Sequence, residues 1–144
     1  FYFIRRWNGR LGKDKITEEF KKGVIKKDGK LLLNSLPFAG ITTTYSADTL
    51  ITDSAAAGTA LATGHKTNNG YIAKDVNGNN LQTLLELAQD KGMATGLVST
   101  TRITHATPAV FAAHNLDRDD ENGIAEDYVN SNVDYFAGED TDTL

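Results

Sequence analysis

The 144 residues predict an α/β layered fold with a mainly parallel sheet. Runs rich in β-branched residues alternate with runs at helical spacing, the pattern of a parallel sheet covered by helices. Turn signals such as Asp75 to Asn80 separate the runs. One stretch, Asp53 to Thr63, is almost wholly Ala, Thr, Leu and Gly, side chains small enough for a buried helix packed closely on a sheet.

In chain order, Lys13 to Ile25 is polar and helix-compatible, closing in the turn signal Lys27-Asp28-Gly29. Phe38 to Tyr45 reads as a strand. The small-residue helix follows, with Gly64 at its end. Leu81, Leu84, Leu85 and Ala88 recur at helical spacing, with Asn80 placed to cap that helix and Gly92 to terminate it. Met93 to Ser99 is the next expected strand, and Pro108 suits the first turn of a helix running to His114. A short helix from Glu121 to Asn130 and a strand from Val133 to Phe136 complete the series. There is no internal repeat, linker or low-complexity segment, so one domain, or part of one, is expected.

Composition narrows the classes. No apolar run approaches the roughly 20 residues of a membrane helix, so no membrane partner is expected. Phe1 to Ile4 is apolar but runs into Arg5 and Arg6, the reverse of a signal peptide, as in a mature chain or one lacking its true start. Cysteine is absent, which excludes disulfides and thiolate chemistry and leaves the compartment open. Ten of the 15 basic residues lie between Arg5 and Lys30. They are interleaved with Asp14, Glu18, Glu19 and Asp28 and lack interleaved aromatics, so no nucleic-acid partner is expected. The acidic run Asp117 to Gly123 fails as an EF-hand: with Gly123 at the sixth position, Arg118 and Val129 would fill the first and twelfth.

Two stretches carry chemistry. In Thr52-Asp53-Ser54-Ala55-Ala56-Ala57-Gly58-Thr59-Ala60 a serine stands at the start of a helix, an end that favours anions. From the residues alone, the reading of Asp53 or Ser54 as a mere helix cap is the favoured one. No G-x-S-x-G elbow activates Ser54, so a nucleophilic role requires a metal ion to deprotonate it. In Gly96 to Pro108 a strand runs through a polar loop into a helix start, the place where α/β sheets gather ligands. Thr107 could cap that helix, and His105 could be an exposed loop histidine. Arg118 is either a surface ion-pair partner or a bidentate phosphate clamp.

The first run, continued by Thr63-Gly64-His65-Lys66-Thr67, resembles the nucleophile signature of alkaline phosphatases. Thr101-Arg102-Ile103-Thr104-His105-Ala106-Thr107-Pro108-Ala109, ending at Ala113-His114, resembles that family's second signature, and the spacing from Thr107 to Arg118 fits its phosphate-binding arginine. The resemblance covers residues 36–137. It implies that the whole chain, 1–144, is part of one domain, a fragment of a three-layer α/β/α sandwich. The implied activity is metal-dependent hydrolysis of small-molecule phosphomonoesters. Ser54 would form a phosphoserine, Arg118 would hold two non-bridging oxygens and Asp53 would orient Arg118. Thr107 would ligate magnesium, with His105 touching that metal through water. Two zinc ions and one magnesium ion are implied, with Ser54 facing a zinc. A homodimer is a possible assembly, and a periplasmic or extracellular location is implied.

The family's Gly-Asp-Gly-Met-Gly segment and its downstream zinc ligands have no match here, so the 144 residues alone are expected to be inactive. Rival readings are an anion- or calcium-binding module without catalysis, and a hydrolase of sulfate, phosphodiester or phosphonate on the same fold.

Overall fold

A computed structural model describes Pro37 and residues 43–139. The expected helix at 13–25 and most of the expected strand at 38–45 lie outside those residues, and Thr43 to Tyr45 are not in a strand. From Thr43 the described chain is one compact unit. Its elements are α1 (Ser54–Thr63), α2 (Leu84–Asp90), β1 (Gly96–Arg102), α3 (Ala106–Ala109), α4 (Glu121–Asn130) and β2 (Tyr135–Glu139).

Helix α1 forms where its composition places it. Asp53 caps its start, and Gly64 ends it at φ +78°, a left-handed conformation that glycine adopts without a Cβ clash. Ala55, Ala56, Gly58, Thr59 and Ala62 are buried. The small side chains let α1 approach α3 closely: a Cβ on Gly58 would come 2.8 Å from Val110 Cγ2. The same core holds Ile72, Leu85, Ala106, Ala109, Ile124 and Tyr128. Full burial of residues such as Ile72 and Ile124 contributes roughly 1.5–3 kcal/mol each.

Helix α2 starts differently from the expectation. Its cap is Thr83, not Asn80, because Glu86 three residues on completes a capping box. Two end donors are satisfied reciprocally, which Asn80 followed by Thr83 could not achieve. The Asn80 side chain instead accepts from Lys74 Nζ at 2.6 Å. Gly92, at φ +69°, stands just beyond the helix as expected.

Strands β1 and β2 pair in parallel, with Gly96 opposite Tyr135 and Arg102 opposite Glu139. Both lie two to three residues later than the sequence pattern suggests. Asp134 Oδ2 accepts from Thr95 N–H at 2.7 Å and pins the chain just before pairing begins. Parallel strands cannot be joined by a hairpin, so the chain returns through α3 and α4. The register slips between Val98 and Arg102. Gly138 accommodates the crowding there, since a Cβ would sit 2.9 Å from Ile103 N and 3.0 Å from Thr101 O. Behind the sheet, Tyr128 stacks obliquely on Phe136 with ring centres 4.8 Å apart. Its hydroxyl donates to Ile103 O at 2.8 Å, and burial pushes the phenol pKa up.

Helix α3 is shorter than the expected run to His114. After Ala109 the chain tightens: Phe111 N–H bonds Pro108 O and Ala112 N–H bonds Ala109 O, three residues back in each case. Pro108 is its third residue, in the first turn as expected, and the cap is His105, not Thr107. Helix α4 has the expected bounds, capped by Asp120.

Candidate functional site

The β1–α3 loop, through His105, and the start of α1, through Asp53, meet at Arg118 in the α3–α4 loop. As the cap of α1, Asp53 has an extended backbone, and its Oδ1 accepts from Ala56 N–H at 2.8 Å. Its Oδ2 accepts from Gly70 N–H at 3.0 Å and from Arg118 Nη1 at 3.1 Å. A single carboxylate therefore closes the helix, fixes the strip that follows it and holds a guanidinium 65 residues away. Both side chains of the Asp53–Arg118 pair are 23% exposed. Asp119 adds a looser contact with Arg118 Nε at 3.9 Å.

Ser54 is the first residue of α1, beside this junction. Its Oγ is buried and has no hydrogen-bond partner. Thr107 Oγ1 is in the same condition. An unsatisfied buried hydroxyl is destabilising by about 1–3 kcal/mol, so two of them in the two motif runs are informative. Thr67 Oγ1, just past the first run, shares the condition. All three are hard oxygen donors without a hydrogen-bond partner.

His105 is not an exposed loop residue: it is buried, with 8% exposure. Its Nδ1 accepts from Thr107 N–H at 3.3 Å. Arg118 Nη2 lies 3.3 Å from His105 Nε2, so the guanidinium is braced by the ring as well as by Asp53. A neutral imidazole has one acceptor nitrogen, so Thr107 N–H and Arg118 compete for it according to the tautomer.

Two further sets of ties hold the loops. Glu121, first residue of α4, grips the β1–α3 loop: Thr104 Oγ1 donates to its Oε2 at 2.7 Å, and Arg102 Nε lies 2.6 Å from its Oε1. The Arg102 contact is a close charge pair without the alignment of an N–H hydrogen bond. On the other side, residues 66–73 are stitched to both α1 and the Arg118 loop. Thr59 Oγ1 donates to Tyr71 O and accepts from Ala73 N–H, and Ile72 pairs with Asn115 through both backbone bonds.

Of the residues singled out from sequence, Asp53, Arg118 and His105 come into direct contact. Thr107 joins through its N–H to His105, and Ser54 through its neighbour Asp53. His65 is exposed, with Nδ1 3.0 Å from Thr63 O. His114 Nε2 lies 3.1 Å from Leu81 O and 3.6 Å from Glu86 Oε1, at the start of α2 rather than beside Arg118. Among the described residues no three His, Cys, Asp or Glu side chains assemble as a metal-holding group. Sequence reading missed Asn69, Gly70 and Glu121. The Asn69-Gly70 turn dipeptide was the one available signal for the first two, and it names a turn, not what the turn binds.

A pair of parallel strands with helices between them, and a helix start, a buried serine hydroxyl and an anchored guanidinium in their loops, define an α/β protein with a candidate site at those loops. The family model for alkaline phosphatase matches residues 10–138. The chain belongs to the alkaline phosphatase family. It is 51% identical over 96 residues to alkaline phosphatase 3 of Bacillus subtilis, covering 65% of this chain and 21% of that protein. It is 45% identical over 96 residues to the streptomycin-6-phosphate phosphatase of Streptomyces griseus, covering 62% and 21%. The solved structure of a TAB5 alkaline phosphatase variant with Mg bound in its M3 site superposes at a TM-score of 0.73 and 34% identity. That match covers 84% of this chain and 35% of the solved one; TAB5 is an Antarctic bacterium. The chain thus spans about a fifth of the length of the curated relatives it matches.

Proposed function

We propose that the protein containing this chain hydrolyses phosphomonoesters of small molecules through a phosphoserine at Ser54, with residues 1–144 forming part of a single domain. The observation that carries the reading is the Asp53–Arg118 pair beside the buried, unbonded hydroxyl of Ser54. Phosphoryl transfer asks mainly for positioning and for charge on the phosphate oxygens. Arg118 supplies that charge through two charge-assisted hydrogen bonds to non-bridging oxygens, and Asp53 keeps its guanidinium from rotating away. His105, with Nε2 3.3 Å from Arg118 Nη2, borders the same region and would meet the magnesium through a water. The Streptomyces griseus relative is named for a small phosphomonoester, which supports this substrate class.

Two zinc ions and one magnesium ion fit the residues in part. The unbonded hydroxyl of Thr107 is the kind of hard oxygen that would hold magnesium, and the unbonded Ser54 Oγ is free to face a zinc. The other zinc ligands do not assemble among the described residues. Bound metal supplies positive charge that lowers the pKa of a serine hydroxyl or a water. This chain's own residues orient the phosphate, place Ser54 in line with it and exclude bulk water from its hydroxyl. A periplasmic or extracellular location and a homodimer belong to the same proposal. Among the described residues no helix is long and apolar enough to cross a membrane.

The test is acid-quench trapping of phosphoenzyme in the complete protein. The native protein is expected to yield phosphoserine at Ser54, and Ser54→Ala to lose both the adduct and most turnover. Phosphoenzyme recovered from the Ala variant would sink the assignment.

A further inference from the structure

Asn69 lies 15 residues beyond Ser54, outside the two motif runs, yet it ties down the segment that delivers the nucleophile. Its Oδ1 accepts from Asp53 N–H at 3.1 Å. Its Nδ2 donates to Ile51 O at 2.9 Å and to Thr49 Oγ1 at 3.1 Å. Its backbone N–H donates to Asp48 Oδ1 at 3.0 Å. The next residue, Gly70, sends its own N–H to Asp53 Oδ2 at 3.0 Å. An amide side chain can offer two donor hydrogens and one carbonyl, and here all its bonds go to one six-residue segment.

The segment needs such a clamp. Leu50 and Ile51 are 89% and 84% exposed, so apolar packing does not hold it within the described residues. Local turns supply part of the order: Ser46 Oγ donates to Asp48 Oδ1 at 2.8 Å and accepts from Thr49 N–H at 3.2 Å. The Asn69 N–H, and after it the Ser46 hydroxyl, hold the Asp48 carboxyl below its usual pKa. Among the described residues, the 66–70 strip connects this turn to a distant element. Lys66 Nζ donates to Tyr45 O, Ala47 N–H donates to Thr67 O, and Asn69 makes the remaining bonds.

We infer that Asn69 is a positioning residue for the phosphate site, acting through Asp53 on Ser54 and Arg118. With Asn69 holding its backbone and Gly70 its Oδ2, Asp53 presents the rest of that oxygen to Arg118 at a fixed angle. Without the amide, the Asp53 N–H and the Ile51 carbonyl lose their partners. The segment then shifts, and Asp53 takes both the Ser54 backbone and the Arg118 guanidinium with it. The inference rests on the phosphomonoesterase reading of Ser54 and Arg118.

The experiment uses the complete protein with Asn69→Ala and the near-isosteric Asn69→Asp, which keeps an acceptor for Asp53 N–H but loses both donors. Steady-state hydrolysis of an aryl phosphate, inhibition by inorganic phosphate and thermal melting are measured for each. A shift of about an ångström at a reacting group can slow turnover up to about a hundredfold, so kcat is expected to fall about ten- to hundredfold in Asn69→Ala and less in Asn69→Asp. Phosphate inhibition should weaken about tenfold in Asn69→Ala, and this weakening should vanish when Arg118→Ala is already present, because both act through one contact. Variants that melt lower but keep native kcat and phosphate inhibition would overturn the inference, as would an Asn69 effect that simply adds to that of Arg118→Ala. Should Asn69→Ala fail to fold, Asn69→Asp decides by the same two readouts. Ser54→Ala run in parallel separates the failures. Full activity there defeats the phosphoserine reading itself, whereas a dead Ser54→Ala beside native Asn69 variants defeats only the inference about Asn69.

Discussion

At the start of α1, Asp53 accepts from the N–H three residues on; at the start of α2, Thr83 does the same for Glu86. The two caps part company in what else they bind. Asp53 has a second oxygen and a negative charge, and it spends them on Gly70 N–H and Arg118. Thr83 has a hydroxyl proton, which it donates to Phe111 O at 2.7 Å, while Glu86 reaches back to Thr83 N–H. A carboxylate can close a helix and anchor a cation together; a hydroxyl can close a helix and pin a carbonyl. The first cap is thus a charge junction, the second a packing anchor. Asp120, capping α4, is a third case: Oδ1 takes Gly123 N–H and Oδ2 takes the Asn115 amide, so among the described residues its bonds go to amides and not to a cation.

Three measurements on the complete protein test this contrast. The largest effect belongs to Arg118→Ala. Two charge-assisted hydrogen bonds at about 1.5–3 kcal/mol each would be lost, so inhibition by inorganic phosphate should weaken by about two to four orders of magnitude. Unchanged inhibition would make Asp53–Arg118 a surface ion pair, and α1's cap would be no different in kind from α2's.

Thr83→Ala should act on stability alone. Loss of the cap and of the bond to Phe111 O is expected to destabilise by about 1–2 kcal/mol, read as a lowered unfolding midpoint. Phosphate inhibition should stay native. If it weakens in step with stability, the packing anchor is also part of the site and the contrast between the caps fails.

The smallest effect is at Asp120. The Asn115 amide, and after it the Gly123 N–H, hold its carboxyl below the ordinary value. A carboxyl lowered in the folded state adds stability above its unfolded pKa and loses it as pH falls through the folded pKa. Hydrogen exchange at Gly123 should therefore quicken only in acid, below the ordinary carboxylate range. Asn115→Ala should move that midpoint upward. A midpoint unmoved by Asn115→Ala would mean that the Asn115 bond does not set this titration.

Where elements were local, the residues announced them. Helix α4 has the bounds expected from the sequence, and α1 follows from its alanines between Asp53 and Gly64. Errors fell where two plausible caps competed. Asn80 lost to Thr83 because Glu86 completes a reciprocal box, and Thr107 lost to His105, whose ring nitrogen reaches the Thr107 N–H. Strand limits moved because pairing partners, not propensity, decide where a strand begins. For β1 that partner lies some 40 residues away.

For the site, Ser54, Asp53, Thr107, His105 and Arg118 could be picked out because each sits in a dense motif or at a telling spacing from one. The sequence by itself determined which chemical groups are on offer: a hydroxyl at a helix start, a carboxylate beside it, a histidine in a strand-end loop, an arginine downstream. Only the tertiary structure decided that one oxygen of Asp53 would face Arg118, and that Asn69 would hold the segment between Ser46 and Asp53. A hydrogen bond depends on distance and angle in space, and residues 16 or 65 positions apart acquire these only when α1, the 66–73 strip and the α3–α4 loop close around the alanine-rich core.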